Sequence, residues 1–148
     1  MKTIKINNWN EAPKDYTGII EYFNDTKKWY LNGKLHREDG PAIEWGNGDK
    51  HWYLDGKLHR IDGPTVESVN GYKSWHLNGK FHRIDGPAIE GANGDKHWYL
   101  NGVRHRIDGP AIERIDDYKE YWINGEKVTK EAQEVLYGFF LLKKIQNI

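Results

Sequence analysis

Four histidines, His36, His59, His82 and His105, stand 23 residues apart, and each is followed directly by an arginine, Arg37, Arg60, Arg83 or Arg106. Each arginine has an aspartate two residues on: Asp39, Asp62, Asp85 and Asp108. Five glutamates keep the same step, namely Glu21, Glu44, Glu67, Glu90 and Glu113. Such ladders raise three chemistries: metal binding, phosphate capture and carboxylate acid–base catalysis. Spacing speaks against the first. Equivalent residues of successive hairpins lie two strands apart, about 9.5 Å, whereas ligands of one zinc must converge to within about 4 Å. His51 and His97 are two units apart and fail by more. The arginines carry five fixed donors each, but each has its own aspartate to compete for it, so turn-stabilising pairs are expected and a nucleotide-capturing groove is the minority reading. Neighbouring glutamates approach the roughly 6.5–9.5 Å separation of inverting glycosidases, yet the repeat produces that match everywhere and selects no pair. Cross-strand pairing is expected instead: Glu21 with Lys28, Glu44 with His51, Glu90 with His97. The only serines, Ser68 and Ser74, sit in no nucleophile elbow. The residues therefore point to no catalytic group, no metal and no cofactor, and to a non-enzyme.

The elements that hold these residues repeat with the same period. Gly-Pro recurs at Gly40, Gly63, Gly86 and Gly109, and an Asn/Asp-Gly pair at Asn32, Asp55, Asn78, Asn101 and Asn124. A second turn series runs through Asn24-Asp25, Asn47-Gly48, Asn70-Gly71, Asn93-Gly94 and Asp116-Asp117, and the register holds from Gly18 to Gly125. Each unit reads as a β-hairpin: Pro41–Trp45 runs up, Asn47-Gly48 turns as a type I′ pair, and Lys50–Leu54 runs back. Trp45 then faces Lys50, Glu44 faces His51, Ile43 faces Trp52 and Ala42 faces Tyr53. One face carries Ile43, Trp45, Trp52 and Leu54; the wet face carries Ala42, Glu44, His51 and Tyr53. The connecting segments are expected to cover the apolar face with Leu35, Leu58, Phe81 and Val103, then Ile61, Ile84 and Ile107. The fold class is all-β: an elongated antiparallel meander of repeated hairpins, about ten strands, with a C-terminal capping α-helix. Its parts are an N-terminal cap segment (1–17), where Lys2–Ile6 adds an edge strand, the hairpin repeats (18–127) and a capping helix (128–148). Thr129 is the expected N-cap, and Ala132, Val135, Leu136, Phe139 and Leu142 form one apolar stripe.

At these residues a resemblance enters. The hairpin unit with Gly56-Lys-Leu-His59 resembles the MORN repeat family, and Trp29–Glu44 is more similar still to uncharacterised repeat proteins of large tailed phages and giant viruses. The likeness covers about residues 18–127. The unit has Arg37, Arg60, Arg83 and Arg106 where MORN repeats usually place glycine, and Asp-Gly-Pro where they show Gly-x-Gly. A weaker similarity links the Trp-Tyr hairpins to choline- and glycan-binding repeats. The MORN resemblance implies a scaffold for protein partners, and the phage one implies a protein that binds and neutralises a host defence factor in the host cytoplasm.

Composition bounds the rest. The 148 residues carry 22 basic and 22 acidic side chains and no cysteine, so nucleic acid is an unfavoured partner, and disulfides and thiolate sites are excluded. The longest apolar run, Phe139–Leu142, is far short of a membrane span, and Met1–Asn10 shows no secretion signal, so a cytoplasmic protein is expected. Two surfaces are left to bind a protein partner. One is the sheet-face row Tyr30, Tyr53, His76, Tyr99 and Trp122, with Glu44 and Glu90 beside it. The other is the terminal helix, where Tyr137, Phe140 and Leu141 could join a partner or a second copy. The alternative function is a small-ligand binder, holding a nucleotide or glycan in the aromatic and arginine grooves.

Overall fold

The structure, a computed structural model, describes residues 2–6 and 13–146; residues 7–12 of the expected N-terminal cap lie outside it. The chain is an all-β array of hairpin repeats that ends in a single helix, α1 (Lys130–Gln146). It divides into two compact units, residues 1–80 and 81–148, both built from the same repeat. Strand β1 (Thr3–Ile6) joins β2 (Gly18–Tyr22), and β2 pairs with β3 (Lys27–Leu31). The expected edge strand is therefore present, but it runs parallel to β2, so the sheet is mixed at that end. Beyond β3 the first unit continues antiparallel through 43–44, 50–51, 66–67 and 73–74. The second unit runs 89–90, 96–97, 112–113, 119–123 and 126–128 in the same manner.

Each repeat holds two hairpins, and the type I′ turn expected at Asn47-Gly48 is found in the other series instead. The Asn47-Gly48 series closes a three-residue loop: the Trp45 N–H donates to Asp49 O, and the Gly48 N–H donates back to Trp45 O. Only the third loop residue has positive φ, at Asp25, Gly48, Gly71, Gly94 and Asp117, as in a type I turn followed by a one-residue bulge. The asparagine instead makes an Asx turn, its Oδ1 accepting the Asp49 N–H at 3.0 Å. The type I′ pairs are the other series: Asn32-Gly33, Asp55-Gly56, Asn78-Gly79, Asn101-Gly102 and Asn124-Gly125 have positive φ at both residues. Thus Tyr53 pairs with Leu58 and Leu54 with Lys57 across a two-residue turn.

The extra loop residue shifts the large hairpin's register by one. Ile43 faces His51 and Glu44 faces Lys50, not Trp52 and His51. A one-residue slip sends every side chain of the return strand to the other face. Trp52 and Glu44 consequently share one side, while Ile43, Trp45, His51 and Tyr53 share the other; the Trp45 and His51 rings are 5.7 Å apart and those of His51 and Tyr53 6.5 Å. Neither side is wet. Ala42, Ala88 and Ala111 are as fully buried as Ile20, and Ile43 and Ile112 are buried too.

The cover over the tryptophans also differs from expectation. Leu35, Leu58 and Phe81 are half-buried, but Ile61 and Ile84 point outward. The tryptophans are covered by arginine: the guanidinium carbons of Arg37, Arg60 and Arg106 lie 4.2, 4.1 and 4.0 Å from the ring centroids of Trp29, Trp52 and Trp98. Stacked guanidinium covers a ring while keeping its edge donors for oxygen.

Helix α1 starts as expected. Thr129 Oγ1 accepts the Ala132 N–H at 3.2 Å, Glu131 lies in the first turn, and Lys143 and Lys144 lie in the last. The stripe, however, faces away from the repeats. Gln133 is the buried residue, its side-chain amide donating to Ile107 O, while Val135, Leu136, Phe139 and Leu142 are exposed. Gln133 and the half-buried Tyr137 lie on the side of α1 turned to the repeats, and the apolar stripe lies on the other side. No helix among the described residues is long and apolar enough to cross a membrane.

Candidate functional site

Every arginine of the ladder has the same three oxygen partners, and Arg37, Arg60 and Arg106 are also stacked on a tryptophan. Arg37 Nε donates to Asp39 at 2.9 Å, and its Nη1 donates to Pro41 O at 3.3 Å and to Glu44 at 3.0 Å, while the ring of Trp29 lies beneath. Arg60 repeats this with Asp62, Pro64 O and Glu67; Arg83 with Asp85, Pro87 O and Glu90; Arg106 with Asp108, Pro110 O and Glu113. The expected turn pairs are there. The glutamates belong to the same cluster, so Glu44 and Glu90 bond arginine instead of His51 and His97. Lysine beside Glu21 comes from Lys5 and Lys27, not Lys28. The bonded arginine holds Asp39, Asp62 and Asp85 below the usual carboxylate range. A methyl group on Gly63 would sit 2.8 Å from Arg60 Cζ, so this glycine is there to let the guanidinium in, with no positive φ to satisfy.

The histidine ladder joins each repeat to the next. His36 Nδ1 accepts the backbone N–H of Asp55, the first residue of the following type I′ turn, at 3.2 Å. His59 does the same for Asn78, His82 for Asn101 and His105 for Asn124. Among the described residues no three acidic, histidine or cysteine side chains converge as a metal would need.

The sheet-face row is half-buried throughout, and His76 is buried. Burial, with the hydroxyl of Tyr22 nearby, pushes Tyr30 up to about 12 and also raises Tyr53. The Tyr99 hydroxyl accepts from Arg104 Nε at 3.2 Å, and its ring lies 5.2 Å from that of Phe81. Trp122 Nε1 donates to Glu120, which also accepts from Lys127 and Tyr118 and is held down at about 2 by them, Lys127 first. Of the expected sites, the tyrosines are thus separated from Glu44 and Glu90, which lie under the arginines. Tyr137 is half-buried, and Phe140 and Leu141 are exposed on α1.

One repeat breaks the pattern. Thr65 stands where Ala42 does and His76 where Tyr53 does; the Thr65 hydroxyl donates to Ser74 O at 3.0 Å and lies 2.6 Å from His76 Nδ1. With its hydrogen committed to Ser74 O, Oγ1 accepts the Nδ1–H of a neutral His76. Burial drives this histidine down to about 4.

The open space lies along the connecting segments. In the first unit a cleft of about 670 Å³ is lined by Trp52, Leu54, His59 and Arg60 and bordered by Ile61. In the second a cleft of about 820 Å³ is lined by Trp98, Leu100, His105 and Arg106, with Ile84 at its rim and Phe140 of α1. Sequence reasoning missed these edges because it placed the isoleucines in the core. The signal that could have found them is Glu38, which fills the same repeat position and marks it as solvent-facing. No protein-family model and no curated protein matches this chain.

Proposed function

We propose that the chain is a non-enzymatic repeat module that binds a protein partner, and that the partner docks along the edge made by the connecting segments. One observation carries this reading: Ile61 and Ile84 occupy the same repeat position, 89% and 86% exposed, each beside a cleft where a tryptophan and a leucine lie among arginine, aspartate and histidine. An isoleucine held out in water contributes nothing to its own fold. Apolar knobs next to grooves lined by tryptophan and leucine are what a partner's side chains fill at the centre of an interface. Asp39 and Asp62 line the cleft of the first unit and Asp85 that of the second, each over 80% exposed, which suits a partner segment that alternates basic and apolar residues. Repeat arrays offer such a surface once per unit.

The resemblance to MORN and phage repeat proteins supports the narrower form of this proposal: a phage-encoded protein of the host cytoplasm that occupies and inhibits a host defence factor. The test is affinity capture from bacterial lysate with wild-type protein and with Ile61→Glu plus Ile84→Glu. Both positions are exposed, so the fold is retained. The expected result is one stoichiometric protein that the variant no longer captures. Capture unaffected by the variant, or no capture, overturns the reading.

The second reading, a binder of nucleotides or glycans, is favoured by tryptophan, arginine and histidine lining the same cleft. Against it, Nε and Nη1 of each arginine are already bonded to carboxylates. Calorimetry with nucleotides and oligosaccharides separates the two: the first reading expects no heat, and the second expects binding that is lost with Trp98→Ala.

A further inference from the structure

The docking edge of the first unit constrains the conformation of a partner as well as its chemistry. Two clefts lie side by side there. One, of about 480 Å³, is lined by Trp29, Tyr30, Leu31 and His36. The other, of about 670 Å³, is lined by Trp52, Leu54 and His59, and the ridge 37–39 walls both. They are the same cleft in successive repeats: Trp29 lies on β3 and Trp52 directly after strand 50–51, with strand 43–44 paired between. Two strand steps set them about 9.5 Å apart.

A partner segment that fills both clefts must present anchors at that interval on one of its faces. An extended strand puts same-face residues about 6.7 Å apart. An α-helix returns to the same face after seven residues, about 10.5 Å. A polyproline II helix returns after three residues, about 9.3 Å, and this matches the step of the clefts.

Two further observations agree with it. The indole N–H groups of Trp29 and Trp52 donate to no acceptor among the described residues, whereas that of Trp122 donates to Glu120. A polyproline II backbone has no internal hydrogen bonds, so its carbonyls are free to accept; those of an α-helix are used within the helix. The second observation is charge. Glu38, Asp39 and Asp62 are 85%, 84% and 83% exposed. The two arginines beside them, Arg37 and Arg60, are each also bonded to a further carboxylate, Glu44 or Glu67. The edge is therefore acidic.

Building on the docking edge proposed above, we infer that the partner lies in these clefts as a polyproline II segment, with proline or another apolar residue at every third position and basic residues between. Each anchor enters one cleft beside a tryptophan, the indole N–H groups bind carbonyls of the segment, and the basic side chains reach Asp39 and Asp62, which recur at the same step. Aromatic-lined grooves suit such segments because the chain is ordered before it binds.

Calorimetry of the purified full chain with a synthetic peptide of four Pro-Pro-Arg triplets tests this, and binding is expected. A peptide of four Gly-Ser-Arg triplets keeps the charge without the conformation. A peptide of Arg-Arg-Pro-Pro-Pro-Pro written twice keeps composition and conformation but loses the step. Both are expected to bind at least tenfold more weakly. In the protein, Trp52→Phe keeps a ring under Arg60 and removes the N–H, while Asp39→Asn with Asp62→Asn keeps the shape and removes the charge. Each variant is expected to keep the circular dichroism of the wild type and to weaken the first peptide several-fold. No binding of the first peptide, equal binding of either control peptide, or an affinity indifferent to either variant overturns the inference. Lysate capture that is lost with Ile61→Glu plus Ile84→Glu, while the first peptide neither binds nor competes, leaves the docking edge standing and removes the polyproline II form of its partner.

Discussion

His76 is a neutral imidazole held in a repeat that elsewhere uses tyrosine, and it makes the protein acid-sensitive in a defined window. Its folded value of about 4 lies below the ordinary 6.5, so the unfolded chain binds more protons between these limits. Stability therefore rises with pH across this range and is lost as pH falls from 6.5 toward 4. Glu120 works in the same direction lower down. Its value of about 2 means that its contribution, present above 4.5, fades as pH drops further. Melting temperatures across this range should show the first decline in the wild type and a smaller one in Thr65→Ala with His76→Tyr, which restores the residues of the neighbouring repeats; His51 and His97, also lowered by burial, keep the remainder. An unchanged profile in that double variant would remove His76 as the cause. The same substitution removes the Thr65 hydroxyl's bond to Ser74 O.

At the scale of the element, each connection is built around one arginine, and the glycine of Asp-Gly-Pro makes room for it. Gly63→Ala should push the Arg60 guanidinium off Trp52 and weaken its bonds to Asp62, Pro64 O and Glu67. Because a flexible side chain can yield, the cost is that of strained charge-assisted bonds, about 1–3 kcal/mol. Gly56→Ala tests a different mechanism, since φ there is +77° and a side chain is strained in any surroundings, by about 1–2 kcal/mol. Urea denaturation should find both destabilised, with Gly63→Ala rescued in part by Arg60→Gln and Gly56→Ala not rescued by it. Much of this element is legible in the sequence: the period, the positions of the turns, the arginine–aspartate pairs and the N-cap at Thr129. The turn types are not. Asn-Gly serves both as a type I′ pair and as the Asx residue and bulge of a longer loop, and the choice depends on which loop length lets Trp52 reach the Thr65 carbonyl.

For the whole molecule, the repeats and α1 differ in how they are held. The repeats share carboxylate–arginine clusters and histidine links at every step. The helix is anchored near its start by Gln133 on Ile107 O, and its apolar stripe is open. Hydrogen exchange should show the distinction. The amides of residues 135–146 are expected to exchange faster than those of the hairpins. Exchange of α1 as slow as that of the hairpins would argue against this difference.

The amino-acid sequence by itself determined the all-β repeat, its period, the terminal helix and the inward commitment of the histidine and arginine ladders, because these follow from local turn chemistry and from distances that a strand spacing imposes. Tertiary structure alone decided the faces. A loop of three residues instead of two moved the return strand by one position, and with it tryptophan went to the arginine side and tyrosine to the side of Ile43. The helix likewise docks on the side that carries Gln133 and Tyr137, which leaves its apolar stripe outward. Periodicity specifies which residues share a face; which way that face points depends on contacts made by residues outside the pattern.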